Sequence, residues 1–371
     1  MNRTAAEFFA GIGLVRLALE KAGWSVVFAN DIDSKKFEMY AAAFGEHEYL
    51  VNDIATLTSD AVPDIELATA SFPCIDLSLA GSRAGLKGRH SSTYWHFHRL
   101  VKGMAERKPR FVLLENVVGL LHSADGEDLR AICSSLNELG YVCDLLLVDA
   151  VHFVPQSRPR LFVIGVQGRT DADALLTSPH PTRPAPVISF IRRNNDLAWL
   201  LHPVGPLPKR RRTLRDIIDA RANTWWESER REHLWSQMSD AHKRLVAGLA
   251  KSEEPAYATV YKRVRPSGCR AEVRADGVAG CLRTPRGGSS KQFVIEGHNG
   301  RWRVRHMSPR EYGALQGISS SFPITVPDNQ AMMGFGDAVC VPALAWVIRN
   351  TINKHFDLLK EQDHRLVAQA V

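Results

Sequence analysis

Short apolar runs alternate with amphipathic stretches through residues 1–168. AAEFFA, WSVVFAND, IELATAS, RFVLLEN, VCDLLLVDA and RLFVIGV are apolar segments of strand length, rich in β-branched and aromatic side chains. Between them, GLVRLALEKAG, SKKFEMYAAAFG, STYWHFHRLVKGMAERK and GEDLRAICSSLNELG space their apolar residues three and four apart, as a helix with one buried face does. Near-continuous apolar strands between such helices predict an α/β fold, a mainly parallel sheet covered on both faces. In sheets of that kind ligands sit beyond the carboxyl ends of the strands.

The pattern breaks after Val166. TSPHPTRPAP carries Pro179, Pro181, Pro184 and Pro186, which oppose regular structure, and a further Pro-rich stretch leads into the run Lys209–Arg212. Regularity returns with a helical SPREYGALQG and an apolar AVCVPALAWVIRNTINKHF. The expected organisation is a sheet domain over 1–168, a smaller irregular domain over 169–305, and a segment 306–371 returning to the first domain. Beyond Leu358 a helix end or a disordered tail is expected.

Charge sharpens this division. The net charge is +7, yet residues 169–305 hold 26 Lys+Arg against 14 Asp+Glu, while the remainder is acidic on balance. A basic segment on an acidic body points to a polyanion partner. The six cysteines are scattered, with no CxxC pair, which argues against a zinc site and against a disulfide scaffold. No apolar run approaches the length that spans a bilayer, and no signal peptide is evident at the N-terminus. A cytoplasmic monomer without metal is the expectation.

Candidate chemistry gathers at the predicted strand ends. Gly11 and Gly13 in FFAGIGL sit at a strand-to-helix turn, where glycine allows a tight bend and close approach to a ligand. A plain tight turn explains the same pair, and Arg16 stands where a nicotinamide or flavin fingerprint wants a third small residue. Asp31 and Asp53 end the next two apolar stretches, placed for a ribose diol and an adenine amine. Cys74 follows Pro73 at a strand end and precedes a polar loop holding Arg83, Lys87 and Arg89, which would meet phosphates on closure. Glu115 closes FVLLE; a carboxyl there is either salt-bridged or a proton donor to a ring nitrogen. Arg158 and Arg160 lie on one face of an extended segment and suit a phosphate or a carbonyl oxygen gaining charge.

Taken in order, the glycine loop, Asp31, Asp53, Pro73-Cys74, Glu115-Asn116-Val117 and Gln156-x-Arg158-x-Arg160 resemble the successive N-terminal motifs of the DNA (cytosine-5) methyltransferases. RVRHMSPREYGALQG and GFGDAV resemble the two motifs that follow that family's variable target-recognition region, and the basic middle falls where the family keeps it. The resemblance implies a Rossmann-like, S-adenosylmethionine-dependent methyltransferase sheet with a small target-recognition domain. It implies duplex DNA as partner and a cytosine flipped out of the helix. Cys74 would add to C6, Glu115 would protonate N3, and Arg158 or Arg160 would hold O2. The cofactor site would comprise Phe9 against the adenine, Gly11, Gly13, Asp31, Ile32, Asp53, Ile54, Pro73, Asp337 and Ala338. Arg283, Arg286 and Lys291 in CLRTPRGGSSKQ would reach DNA phosphates or bases.

Some positions depart from the family pattern. Leu14 replaces a further glycine, Ile75-Asp76 follows the cysteine, and Asp337 stands where asparagine is usual. A carboxylate only accepts hydrogen bonds and adds charge. The alternatives are a methyltransferase for RNA, which one branch of the family represents but with a more compact recognition region, and a DNA-binding regulator that has lost its catalytic residues. A nicotinamide oxidoreductase lacks its glycine pattern here.

Overall fold

The computed structural model describes residues 2–73, 93–168, 178–266, 268–284 and 290–369. Seven strands form one sheet: β1 (Thr4–Phe8), β2 (Ser25–Asp31), β3 (Tyr49–Val51), β4 (Leu67–Ala70), β5 (Phe111–Val117), β6 (Tyr141–Asp149) and β7 (Pro159–Gln167), in the order β3-β2-β1-β4-β5-β7-β6. β1 to β5 pair in parallel, as apolar runs linked through helices require, whereas β7 runs antiparallel to both β5 and β6. That reversal brings the start of β7 to the edge where the parallel strands end. Val117 at the end of β5 therefore pairs with Arg160 near the start of β7.

Helices cover both faces. α1 (Leu14–Lys21), with the C-terminal helices α8 (Pro309–Leu315), α9 (Asp328–Asp337), α10 (Val341–Asn350) and α11 (Ile352–Gln369), shares one core with the sheet. α3 (Thr93–Gly103) and α4 (Glu127–Glu138) build the other. α2 (Ser34–Phe44) packs beside β3 through Tyr40 and Tyr49. Asp328–Gln362 is, by length and composition, apolar enough to cross a membrane, which corrects the expectation that no stretch is. Here it folds as α9, α10 and the start of α11, and Phe335, Leu344, Val347 and Ile348 are core residues.

The expected irregular region is more ordered than its prolines indicated. α5 (Ala185–Arg193) begins directly after Pro184 and carries Pro186 in its first turn, where the missing N–H is no loss. Val187, Ile188, Phe190, Leu197 and Trp199 join the sheet's second core. Buried Asp144 of β6 accepts a two-pronged contact from Arg183 at 3.0 and 2.6 Å and a third from the His202 ring at 2.8 Å. These partners outweigh burial and hold the Asp144 carboxyl below its usual range. The segment just after residue 177 thus belongs with the first layer rather than the smaller domain. The latter consists of α6 (Ser228–Ser236), α7 (Asp240–Ala250) and an antiparallel sheet of β8 (Ala256–Arg265), β9 (Gly268–Arg274), β10 (Phe293–His298) and β11 (Arg301–His306), ordered β11-β10-β8-β9. Leu234, Val246, Val260, Ile295 and Val304 form its core.

Candidate active site

The cofactor half of the site is built at the ends of β1 and β2. Phe9, Gly11 and Gly13 all take positive φ, so the chain coils tightly between β1 and α1. At Gly13 a side chain is impossible on two counts: φ is +81°, and a Cβ would lie 2.5 Å from Phe44 and 2.8 Å from Tyr40. Asp31 is buried and accepts from the Gly11 and Asp33 N–H groups, each at 2.9 Å. A carboxylate offers about four lone-pair positions, so about two remain for the hydroxyls of a ribose. Ile32 follows immediately and leaves 66 % of its surface exposed. Asp53 is exposed and accepts from the Ala55 N–H, while Ile54 turns into the core beneath it. A nucleoside-bearing methyl donor fits this set of groups.

Asp337 ends α9 and pairs with Lys36 of α2 at 2.9 Å. Burial disfavours the Lys36 charge, but Asp337 and Asp31 outweigh it and the ammonium is held more firmly than usual. The charge that Asp337 introduces in place of asparagine is thereby balanced within the protein. Sequence pattern alone could not reveal Lys36, since its partner lies some 300 residues away.

The reaction half centres on Glu115, 9 % exposed, on β5. Its Oε1 lies 2.9 Å from Arg160 Nε. Neighbouring Asn116 donates from Nδ2 to the Phe72 carbonyl at 3.3 Å, fastening the end of β5 to the chain two residues before Cys74. Pro73 lies there too, partly buried. Cys74, Arg83, Lys87, Arg89 and Arg286 lie outside the described residues.

The two arginines share a face, as expected, but have different company. Arg160 is beside Glu115, and Arg158 is buried, with its guanidinium donating to the carbonyls of Leu282, Gly336 and Ala338 at 2.9, 3.2 and 2.6 Å. Arg158 is thus a tie between chain segments. Both reach the Cys281 thiol, at 3.4 and 3.8 Å, and their charges pull its proton affinity down despite burial. Buried Gln156 completes the joint: Nε2 donates to Leu315 O at 2.7 Å and Oε1 accepts from Leu282 N at 3.0 Å. Gln316, which the sequence reading did not single out, donates to Phe335 O and Ala338 O. Ala338 is therefore half-buried in this joint. Arg283 is exposed, with its backbone so close to Gly336 that a Cβ there would meet it at 2.5 Å. Lys291 donates to Asn329 of α9 at 2.6 Å.

A seven-stranded sheet with one reversed strand, a glycine turn after β1 and an acid after β2 define an S-adenosylmethionine-dependent methyltransferase. The chain matches the family model of the C-5 cytosine-specific DNA methylases over residues 4–353 and belongs to that family. It is 27 % identical over 357 residues to the type II methyltransferase M.DsaV of Dactylococcopsis salina, covering 96 % of this chain and 87 % of that one. It is 26 % identical to M.HpaII of Haemophilus parainfluenzae, covering 92 % and 87 %. Among solved structures, a mutant form of Spodoptera frugiperda DNMT2 shares the fold with a TM-score of 0.63 at 15 % identity, covering 94 % of this chain and 99 % of that one. The protein is a DNA cytosine-5 methyltransferase and uses S-adenosylmethionine as methyl donor.

Proposed function

We propose that this enzyme flips a target cytosine from duplex DNA and methylates it through a covalent Cys74–C6 adduct. The observation that carries this reading is the Glu115–Arg160 pair at the end of β5, tied through Asn116 to the chain entering Cys74. C5 of cytosine is a weak nucleophile. Addition of the Cys74 thiolate to C6 breaks the 5,6 double bond and places electron density on C5. Glu115 protonates N3 and holds the exocyclic amine, so the ring does not carry the added charge. Arg160 steadies O2. When bound, S-adenosylmethionine would supply the methyl group to C5, its S–CH3 bond breaking to leave S-adenosylhomocysteine. Loss of the C5 proton then restores the double bond, Cys74 leaves, and N3 returns its proton to Glu115. Phe9, Ile32 and Ile54 flank the adenosine, Asp31 takes the ribose and Asp53 the adenine amine. Gly11 keeps its approach open, Gly13 lets the turn pack against Phe44 and Tyr40, and Pro73, Asp337 and Ala338 border the methionine end.

The target ring is unreachable inside a helix, which is why it must be flipped. The basic smaller domain, with Arg283, Arg286 and Lys291, reads the sequence, while Arg83, Lys87 and Arg89 hold phosphates. The type II names of the relatives support a sequence-specific role in restriction-modification or defence. A cytoplasmic, nucleoid-associated monomer is consistent with it. Labelled methyl transfer to mixed-sequence duplex DNA, followed by nucleoside analysis, tests the reading. The wild type should yield 5-methylcytosine, and Cys74→Ala should bind DNA without turnover. Near-normal turnover in Cys74→Ala would sink the covalent route.

A further inference from the structure

The smaller domain carries a second cavity, of about 360 Å³, between the end of its sheet and α6. Register explains its walls. Phe293 of β10 pairs with His306 of β11 and with Val260 of β8, so Phe293, His306 and Lys262 (two residues beyond Val260) lie on one face. The same face, further along, is the domain's apolar core. At this end the core opens instead of closing. Trp226 stands edge-on to both Phe293 and His306, with ring centres 5.2 Å apart, and Phe293 stacks on His306 at 4.5 Å.

Cations ring this aromatic floor. The Arg230 guanidinium sits 3.8 Å from the Trp226 ring centre, and the Lys262 ammonium 5.7 Å from that of Phe293. Lys291, on the rim, donates to the neutral Asn329 side chain, its one hydrogen-bond partner among the described residues. Among the described residues none of the three has a carboxylate at ion-pair distance, in a domain where most other arginines of the sheet do. His306 Nδ1 is buried without a hydrogen-bond partner. Burial, then the three cations, hold its proton affinity down to about 4, so at neutral pH it is an uncharged imidazole. The adjoining recess shares Trp226, Arg230 and His306 with this cavity and adds Glu227 and Glu229 to its wall. An anion is therefore favoured at the lysine end and disfavoured at the other.

We propose that this cavity binds one unpaired nucleotide, its base against the aromatic cluster of Trp226, Phe293 and His306, and its phosphate among Arg230, Lys262 and Lys291. Uncompensated cations select the phosphate and the aromatic floor selects the flat ring, as in sites for single-stranded nucleic acid. The ligand is either a nucleotide displaced from the DNA strand during methylation or a free mononucleotide. The first source rests on the DNA reading above.

The test uses the full chain and two single-stranded probes of equal length, a mixed-sequence oligodeoxynucleotide and its all-abasic counterpart. dAMP serves as competitor. The wild type should prefer the base-bearing strand by about tenfold. Trp226→Ala and His306→Leu should lose most of that preference, and Lys262→Gln, a surface change that spares the core, should weaken binding of the base-bearing strand. Displacement of the strand by dAMP in a Lys262-dependent manner identifies the free nucleotide as a ligand; no displacement identifies the strand nucleotide. Equal binding of the two probes by the wild type, or an unaltered preference in folded Trp226→Ala and His306→Leu together with wild-type binding by Lys262→Gln, overturns the proposal. Nucleoside analysis of duplex DNA run in parallel separates this from the DNA reading, whose failure would show as absence of 5-methylcytosine with the probe preference intact.

Discussion

At the scale of single residues, two arginines two positions apart do different work. Arg158 donates to three backbone carbonyls from deep burial, and of these the Ala338 carbonyl has a second donor in Gln316. Arg158→Ala should cost about 3 kcal/mol or more of stability, read as a lowered midpoint in urea. Arg160→Ala, which takes a partner from Glu115, should lower that midpoint by less and depress kcat. Comparable destabilisation by both changes would refute the division. Glu7 of β1 makes a separate prediction. It is fully buried, and burial raises its pKa well above the ordinary 4.5 in spite of Arg16 nearby. The folded protein thus holds a proton that the unfolded chain releases. The stability tied to this proton is complete below the unfolded value and falls as pH rises toward the folded one. Glu7→Gln should therefore gain on the wild type as pH is raised from about 5 to about 8. Parallel stability curves over that range would show that Glu7 does not titrate this way.

At the scale of elements, the β1–α1 turn is the most constrained piece of the site. Gly13→Ala meets both a left-handed backbone and the rings of Phe44 and Tyr40. It should cost about 2 kcal/mol or more and weaken S-adenosylmethionine binding, measurable by calorimetry. Wild-type affinity and stability together would mean that the turn is more pliant than its packing indicates. The alternation of apolar strands and amphipathic helices made β1, β2, β4, β5, β6 and β7 legible in sequence, and with them the strand ends that carry Asp31 and Glu115. β3 escaped because it is short and part-exposed, with Leu50 and Val51 about two-fifths in solvent. The four-stranded sheet escaped because its strands mix arginines into an apolar alternation, as in AYATVYKRVR and RWRVRH. α5 escaped because prolines were read as breakers when they sit at its start. Direction was also invisible: nothing in RLFVIGV says that β7 runs backwards, yet that reversal brings Arg160 to Glu115.

At the scale of the whole molecule, a buried polar joint unites distant parts of the chain. Gln156, Arg158 and Gln316 bind the start of β7 to Leu282, to the end of α8 and to the end of α9. It thereby fixes the root of the smaller domain against the cofactor layer. The contacts of Gln156 and Arg158 span 120 to 180 positions, and no local pattern announces them. Together with the Lys36–Asp337 pair, this joint ties the chain between β9 and β10 to the C-terminal helices and to the start of β7. The decisive measurement is a trapping reaction on a mixed-sequence duplex in which every cytosine carries fluorine at C5. With no C5 proton to lose, the adduct cannot resolve. The account predicts a protein–DNA adduct that depends on S-adenosylmethionine, maps to Cys74 by peptide mass and is absent from Cys74→Ala. A stable adduct at another residue, or release of 5-methylcytosine from ordinary duplex DNA by Cys74→Ala, would contradict it.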